Sequence, residues 1–360
     1  MTAKRTDVTA SAPGIRTIAD ALGISVATVH RALHNKGRIS KATRARVLRM
    51  AEQVDYKPNL AARDLRLNRH FRFSVHFPTT IVEFFDSLRA GIEEGAAPFR
   101  PTVDLQFRSY VRGREQVQKS IRTALDAEVN GIIAVPPNTP QLVELVAEAN
   151  KKSIPIIYVS TDAPESGRLT AVTAHPFFCG SMAAEVLATD IKKRSQLLVL
   201  AGDLGNLNQT EKIRGFRGML AQAAPHLSVA AVFETNDEPR EAYRAMRDSL
   251  RRQPKINGLY VSSANSIAAL AALRELGRLE DMSIVTTDLF AELVPFIREG
   301  AVKATIYQCP EMQGKIAIQT MYRYLVEGIV PLPSIGIIPQ LILRSNLDLY
   351  VPKSAIYQHS

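Results

Sequence analysis

The chain has 360 residues, 46% apolar and 22% charged, with a formal net charge of +10. That length supports two or three cores, and the composition excludes wholesale disorder. No apolar run reaches the roughly 18 residues of a membrane span, and two cysteines, Cys179 and Cys309, are too few for a disulfide framework or a cysteine-rich metal site. The charge is unevenly spread: residues 1–69 carry 14 Lys/Arg against 5 Asp/Glu, and the remainder 31 against 30. A polyanion is the expected partner of the first segment, because each neutralised phosphate releases condensed counterions. A solvated basic tail is the alternative, but this segment also carries apolar periodicity and so is expected to fold.

Residues 1–13 are polar and read as a flexible tail without the apolar stretch of a signal peptide, so a cytoplasmic protein is expected. A helical pattern over Ile15–Leu22 puts Ile18, Ala19 and Leu22 on one face and stops at Gly23. Ser25 is placed to cap a second helix, Val26–Leu33, with Val29 and Leu33 turned inward. Ser40 opens a third, to about Val54, whose buried stripe is Val47, Met50, Ala51 and Val54. Two short helices joined by a tight glycine turn, with a third across them, describe a helix-turn-helix domain over residues 14–57. Lys57-Pro58-Asn59 breaks the pattern, and Leu60–Leu67, within a linker at 58–69, is a helix too short to stand alone in water.

From Phe71 strand-like runs alternate with helical patterns. The strands are expected at Phe71–Phe77, Val103–Phe107, Gly131–Val135, Pro155–Val159, Leu197–Ala201, Val229–Phe233, Gly258–Val261, Ser283–Thr287 and Ala304–Tyr307. Helices are expected at Arg114–Leu125, Gln141–Lys151, Phe177–Ile191, Glu241–Leu250 and Ile267–Leu276. Such alternation implies an α/β unit over residues 70–352, of doubly wound parallel sheets in two lobes, followed by a tail at 353–360. A closed eight-fold barrel is the competing topology.

The segment from Ile18 through Ala19-Asp20-Ala21-Leu22-Gly23-Ile24-Ser25-Val26-Ala27-Thr28-Val29 to His30-Arg31-Ala32-Leu33, followed by Tyr56-Lys57-Pro58-Asn59-Leu60-Ala61-Ala62-Arg63-Asp64-Leu65, resembles the lactose-repressor (LacI/GalR) family. The rest of the chain resembles that family's effector domain, of periplasmic-binding-protein type I fold, through Ile154-Pro155 and the run Ala304–Pro310. The resemblance implies a transcription factor, usually a repressor, that binds a near-palindromic double-stranded operator as a homodimer and answers to a small molecule. It assigns DNA contacts to Thr17, Ser25, Val26, Ala27, Thr28, His30 and Arg31, and to Asn59, Ala62 and Leu65 of a hinge helix.

The residues support those roles independently. Val26, Ala27, His30 and Arg31 share the face opposite Val29 and Leu33. A guanidinium there can make two hydrogen bonds to guanine O6 and N7, a pairing worth about 1–3 kcal/mol of base discrimination. Val26 and Ala27 stand where the family selects its operator, and as apolar side chains they favour thymine methyls. His30, Thr17, Ser25 and Thr28 suit phosphate contacts, as do Arg38, Lys41 and Arg44, which position without specifying; Ser25 could equally only cap its helix, and any of the charges could be solvated surface. Leu65, between Arg63 and Arg66, has little core to enter. In the resembled family this leucine wedges into the minor groove, at an unstacking cost of a few kcal/mol that extra contacts offset.

Ligands of two-lobed open α/β folds sit beyond the carboxyl ends of the strands. Polar and aromatic residues at those positions give the effector-binding candidates Phe84, Phe85, Ser160, Asp162, His175, Asn208, Ser262, Asn265, Asp288 and Gln308, with Arg108, Thr161 and Asn206 beside them. Amides and carboxylates grip hydroxyls while rings cover the C–H face of a sugar. Competing roles exist: Asp162 as a turn residue, Asn265 as a helix cap, and only one of the adjacent Phe84 and Phe85 facing the cleft. Val82-Glu83, Thr210 and His175-Pro176 depart from the sugar-binding pattern, so the expected ligand is a sugar, polyol or sugar acid, with a non-sugar effector or an exported solute-binding protein as the alternatives. No enzyme motif, metal site or cofactor site is found: Gly-x-Gly-x-x-Gly, the Walker phosphate loop, Gly-x-Ser-x-Gly and His-Glu-x-x-His are all missing.

Overall fold

The computed structural model describes residues 14–33, 37, 39–54, 56, 69–111, 114–136, 141–253 and 255–351. The chain divides into two compact units at Arg69/His70. The first contains helices α1 (Ile15–Leu22), α2 (Val26–Leu33) and α3 (Lys41–Gln53). Ile18 and Ala19 of α1, Val29 and Ala32 of α2 and Val47 of α3 are buried together, with Leu22, Leu33, Met50, Ala51 and Val54 packed around them. Gly23 ends α1 because its backbone is left-handed, at φ 62°, which lets Ile24 N–H reach back to Ala19 O at 3.1 Å. Ser25 Oγ accepts from Thr28 N at 3.2 Å and Ser40 Oγ from Thr43 N at 3.1 Å, so both serines cap the helices that follow them. The hinge expectation, with Asn59, Ala62 and Leu65, lies outside the described residues.

The second unit holds two six-stranded sheets. The first comprises β1 (Phe71–Pro78), β2 (Val103–Tyr110), β3 (Gly131–Ala134), β4 (Ile156–Val159), β5 (Thr170–Ala174) and β11 (Ser334–Ile337). They pair in parallel in the order β11-β5-β4-β3-β1-β2. The second comprises β6 (Ser195–Ala201), β7 (Leu227–Glu234), β8 (Ile256–Val261), β9 (Ser283–Thr287), β10 (Ala304–Tyr307) and β12 (Gln340–Leu343), in the order β12-β10-β9-β8-β6-β7. Only β12 runs antiparallel, against β10. Two open sheets, each the centre of its own lobe, replace the alternative of one closed barrel. The chain crosses between lobes after β5, after β10 and after β11. β5, β11 and β12 escape the sequence reading: each is four or five residues long, and β11 and β12 follow one another across the lobes with two residues between them.

Helices cover both sheets: α4 (Val82–Ala96), α5 (Arg114–Asp126), α6 (Gln141–Lys151), α7 (Pro176–Asp190), α8 (Leu207–Ala223), α9 (Pro239–Arg252), α10 (Ser266–Glu275), α11 (Val294–Glu299) and α12 (Pro310–Glu327). Two pairs cross at unusually close range. A Cβ on Gly91 of α4 would run into the Glu311 carbonyl of α12, and one on Gly314 into the Leu88 carbonyl. In the other lobe a Cβ on Gly180 of α7 would meet Lys212 O, and one on Gly215 of α8 would meet Phe177 O. Those glycines obscure α4, α8 and α12 in the sequence, since glycine inside a helix costs ~1 kcal/mol against alanine. Here close packing of the helix backbones offsets that cost.

Candidate functional site

The first unit presents an exposed face. With Val29 and Ala32 committed to the core, the 3.6-residue period turns Val26, Ala27, His30 and Arg31 outward, and all four are exposed, Val26 to 44%. Arg31 Nε donates to Ala27 O at 3.2 Å, which anchors the base of the guanidinium and leaves its terminal amino groups to project. Thr17 and Ser25 are exposed and Thr28 half-buried. Their hydroxyls take part in capping: Thr17 Oγ1 accepts from Gly14 N at 3.2 Å, and the Ser25 and Thr28 hydroxyls lie 2.9 Å apart. Lys41, Arg44, Arg46 and Arg49 add exposed cations on α3. An apolar-plus-guanidinium face together with such cations has the composition of a surface that reads a nucleic-acid groove and grips its phosphates.

In the second unit the carboxyl ends of both sheets open onto one cavity of about 550 Å³. It is lined by Ser160 after β4, by Ser262 after β8, by Asp288 after β9 and by Gln308 after β10. Ser160 and Asp288 have left-handed backbones, at φ 69° and 65°, strained turns of the kind that concentrate at binding sites. Phe84 and Phe85 both line the cavity, edge to face at 5.2 Å, which corrects the expectation that only one would. The first turn of α4 sits at the cavity wall, and Phe85 reaches it while still stacking on Phe77.

Polar side chains at the cavity floor are wired to one another. Asp288 Oδ1 accepts from Gln308 N at 3.1 Å and Oδ2 from Gln308 Nε2 at 2.7 Å. Gln313 donates to Gln308 O at 2.8 Å and accepts from Ser160 N at 3.1 Å. Asn208 Nδ2 donates to Ser160 O at 2.7 Å, and the Thr161 hydroxyl donates to Asn206 Oδ1, so these bonds tie the lobes together. Burial pushes the Asp288 carboxyl up to about 6 against the opposing pull of Lys212 and the Gln308 hydrogen bonds. Burial also pulls the Lys212 ammonium down, while Cys179, Asp288 and Asp237 act to raise it.

Eight of the ten expected effector residues line this cavity. His175 and Asn265 do not, and both expectations are corrected. His175 is exposed where the chain first crosses between lobes; its ring fills the space above Gly336 and meets Phe178 edge-on. Asn265, buried behind the lining residues Ser263 and Ala264, donates to Thr235 Oγ1 at 2.9 Å. Asp162 lines the cavity, but Arg168 holds both its oxygens, at 2.8 and 2.5 Å, so it is chiefly a turn built on a buried ion pair. Arg108 lies outside the cavity lining. Sequence reasoning missed Lys212, Gln209 and Gln313. Lys212 Nζ donates to Ser262 O at 3.1 Å, and Gln209 Oε1 accepts from the Ser262 hydroxyl at 2.7 Å. The signal for Lys212 was available: it follows Asn208 and precedes Phe216 at four-residue spacing on one helix face.

Comparison with known proteins divides the chain at the same place. Residues 14–59 match the model of bacterial regulatory proteins of the lacI family, and residues 73–328 match that of the periplasmic binding protein domain. The HTH-type transcriptional repressor PurR of Haemophilus influenzae is 22% identical over 340 residues, spanning 92% of this chain and 98% of the relative. The ribose operon repressor of Halalkalibacterium halodurans is 25% identical over 327 residues, spanning 86% and 93%. Among solved structures, the glucose-galactose binding protein GanP of Geobacillus stearothermophilus covers 78% of this chain and 99% of its own, at TM-score 0.72 and 23% identity; that likeness concerns the fold.

Proposed function

Because the chain belongs to the lacI family of bacterial regulatory proteins, with a periplasmic binding protein domain as its larger unit, we propose that it is a cytoplasmic, homodimeric, sequence-specific repressor whose operator affinity is set by a small polyhydroxy ligand held between the two lobes. The family is one of transcriptional regulators rather than enzymes. The observation that carries the proposal is the pairing, in one chain, of an exposed Val26-Ala27-His30-Arg31 face with a cavity of about 550 Å³ lined by rings and amides. The face has base-reading chemistry, and its four side chains are exposed. The cavity is the size of a small-molecule site and lies where open α/β folds take their ligands. Arg31 would read guanine, Val26 and Ala27 thymine methyls, and the cations of α3 the backbone.

Control of DNA binding by the cavity then follows from linkage. The lobes are joined by three crossings and by the Ser160–Asn208 and Thr161–Asn206 hydrogen bonds, so a ligand that reorders these bonds has unequal affinity for two lobe arrangements. Only such a difference lets it shift an equilibrium. Selection of duplexes from a random pool by the full chain at moderate salt tests the reading. An enriched near-palindrome, released or tightened by a bound polyhydroxy compound, is the expected result. Binding without sequence preference would overturn it.

A further inference from the structure

Three buried side chains wall the cavity of the second unit with polar atoms that the fold leaves under-used. Asn208, 6% exposed, spends its Nδ2 on Ser160 O, but its Oδ1 is buried with no donor. Ser263 Oγ is buried and unpaired as well. Lys212, 2% exposed, uses one of its three N–H groups, on Ser262 O at 3.1 Å. Lys212 forms no ion pair among the described residues, because the carboxylates around it are turned elsewhere or stand too far off. Asp288 gives both oxygens to Gln308, and Asp162 gives both to Arg168. Asp288, Asp237 and Cys179 act on the ammonium only at longer range.

An ammonium buried with one hydrogen bond lowers stability, and an apolar side chain of the same length would fill the space at less cost. Folding therefore does not account for a lysine at this position. Ligand recognition does: an anionic group on the ligand supplies the direct ion pair that Lys212 lacks among the described residues, and a ligand hydroxyl supplies the donor that Asn208 Oδ1 lacks. A neutral polyol would satisfy the hydrogen bonds but leave the buried cation without a counter-charge in contact, Asp288 and Asp237 acting on it only at longer range.

Resting on the reading of a polyhydroxy effector, we propose that the ligand of this cleft is a polyhydroxylated carboxylate of the aldonic or uronic acid class. Its carboxylate pairs with Lys212, a hydroxyl donates to Asn208 Oδ1 while its neighbour meets Ser263 Oγ, and Phe84 and Phe85 cover its C–H face. The test is isothermal titration of the full chain with D-galacturonate, D-glucuronate, D-galactonate and D-gluconate, each beside D-galactose, D-glucose, galactitol or D-glucitol of matching configuration. At least one acid is expected to bind about tenfold or more tighter than its neutral counterpart, as one desolvated charge-assisted contact provides. In Lys212→Met that ratio falls to about one, with a melting temperature equal to or above that of the parent; if the methionine variant fails to fold, Lys212→Gln serves the same purpose. Neutral compounds that bind as well as or better than the acids overturn the inference and leave the polyhydroxy reading standing. Silence across the whole panel overturns both, and an acid preference that survives loss of the lysine charge overturns the role of Lys212.

Discussion

The two units solve recognition in opposite ways. In the three-helix unit the side chains assigned to recognition stand on the outside, where five buried apolar residues, Ile18, Ala19, Val29, Ala32 and Val47, hold the backbone that displays them. In the two-lobed unit the side chains assigned to recognition are inside, tied to one another through the Asp288–Gln308–Gln313–Ser160–Asn208 sequence of hydrogen bonds. An exposed face needs only rigidity behind it. A buried polar site needs internal partners, because each unsatisfied group costs about 1–3 kcal/mol. On the proposed reading, ligand entry into the cleft would exchange hydrogen bonds within the protein, whereas duplex binding to the outer face would exchange those with water.

That contrast breaks most visibly at Ile18. The first unit has so small a core that Ile18→Ala, expected to cost about 2–5 kcal/mol, would unfold most of it. Duplex binding should vanish while titration of the cleft and the main thermal transition of the second unit stay unchanged. A parallel loss of both would mean that the units do not fold independently. Arg31→Ala probes the display rather than the support. It should weaken binding to the selected duplex by roughly 1–3 kcal/mol and relax the preference at one base position. Lys41→Ala should instead weaken all duplexes alike and lower the salt slope by about 1. Fluorescence anisotropy at several salt concentrations separates the two.

How much was legible in the sequence follows the same division. Helices α1 and α2 fall at the expected bounds because each has an apolar stripe and a local boundary signal: Gly23 ends α1 and Ser25 caps the start of α2. The exposed face follows from that register alone. The nine expected strands are all present, the central ones legible because buried parallel strands are continuous apolar runs. The helices hidden by Gly91, Gly215 and Gly314 were not legible, because their stability comes from a neighbouring backbone that only the fold brings near. Lys212 was missed for a related reason. A lysine is ordinarily a surface residue, and the four-residue spacing that puts it on one face with Asn208 and Phe216 does not say that this face is buried; Gly180 of a different helix, lying against its carbonyl, is what draws this turn of α8 inward.

The inner site should also show itself in the pH dependence of stability. Asp288 holds its proton more tightly folded, with a pKa near 6, than at its ordinary value of 3.8, so between those values the native chain carries more protons and stability falls as pH rises. His76, buried on β1 with Nδ1 2.7 Å from Ser120 Oγ, is the reverse. Burial and, secondarily, Arg108 lower its pKa from 6.5 to about 4, so the unfolded chain carries more protons and stability rises with pH over that window. The two opposed slopes flatten the profile of the parent chain. Asp288→Asn removes the falling one, and urea unfolding between pH 4 and pH 6.5 should then show stability climbing with pH, by an amount on the order of 2 kcal/mol relative to the parent. An unchanged profile would place the Asp288 proton elsewhere.

The smallest expected effect concerns Ser25, where the outer face borrows a group that the fold also uses. Its Oγ accepts from Thr28 N at 3.2 Å and lies 2.9 Å from the Thr28 hydroxyl, so the side chain caps α2 whether or not a phosphate is present. Ser25→Ala removes cap and hydroxyl together and should cost about 1 kcal/mol of stability in the first unit. Ser25→Gly removes the hydroxyl but leaves a residue tolerated at helix starts, at a cost of only a few tenths of a kcal/mol. If Ser25 also holds a phosphate, both variants lose the same increment of duplex affinity, measured where each is fully folded. If it acts as a cap alone, the glycine variant binds DNA like the parent, and affinity follows stability instead.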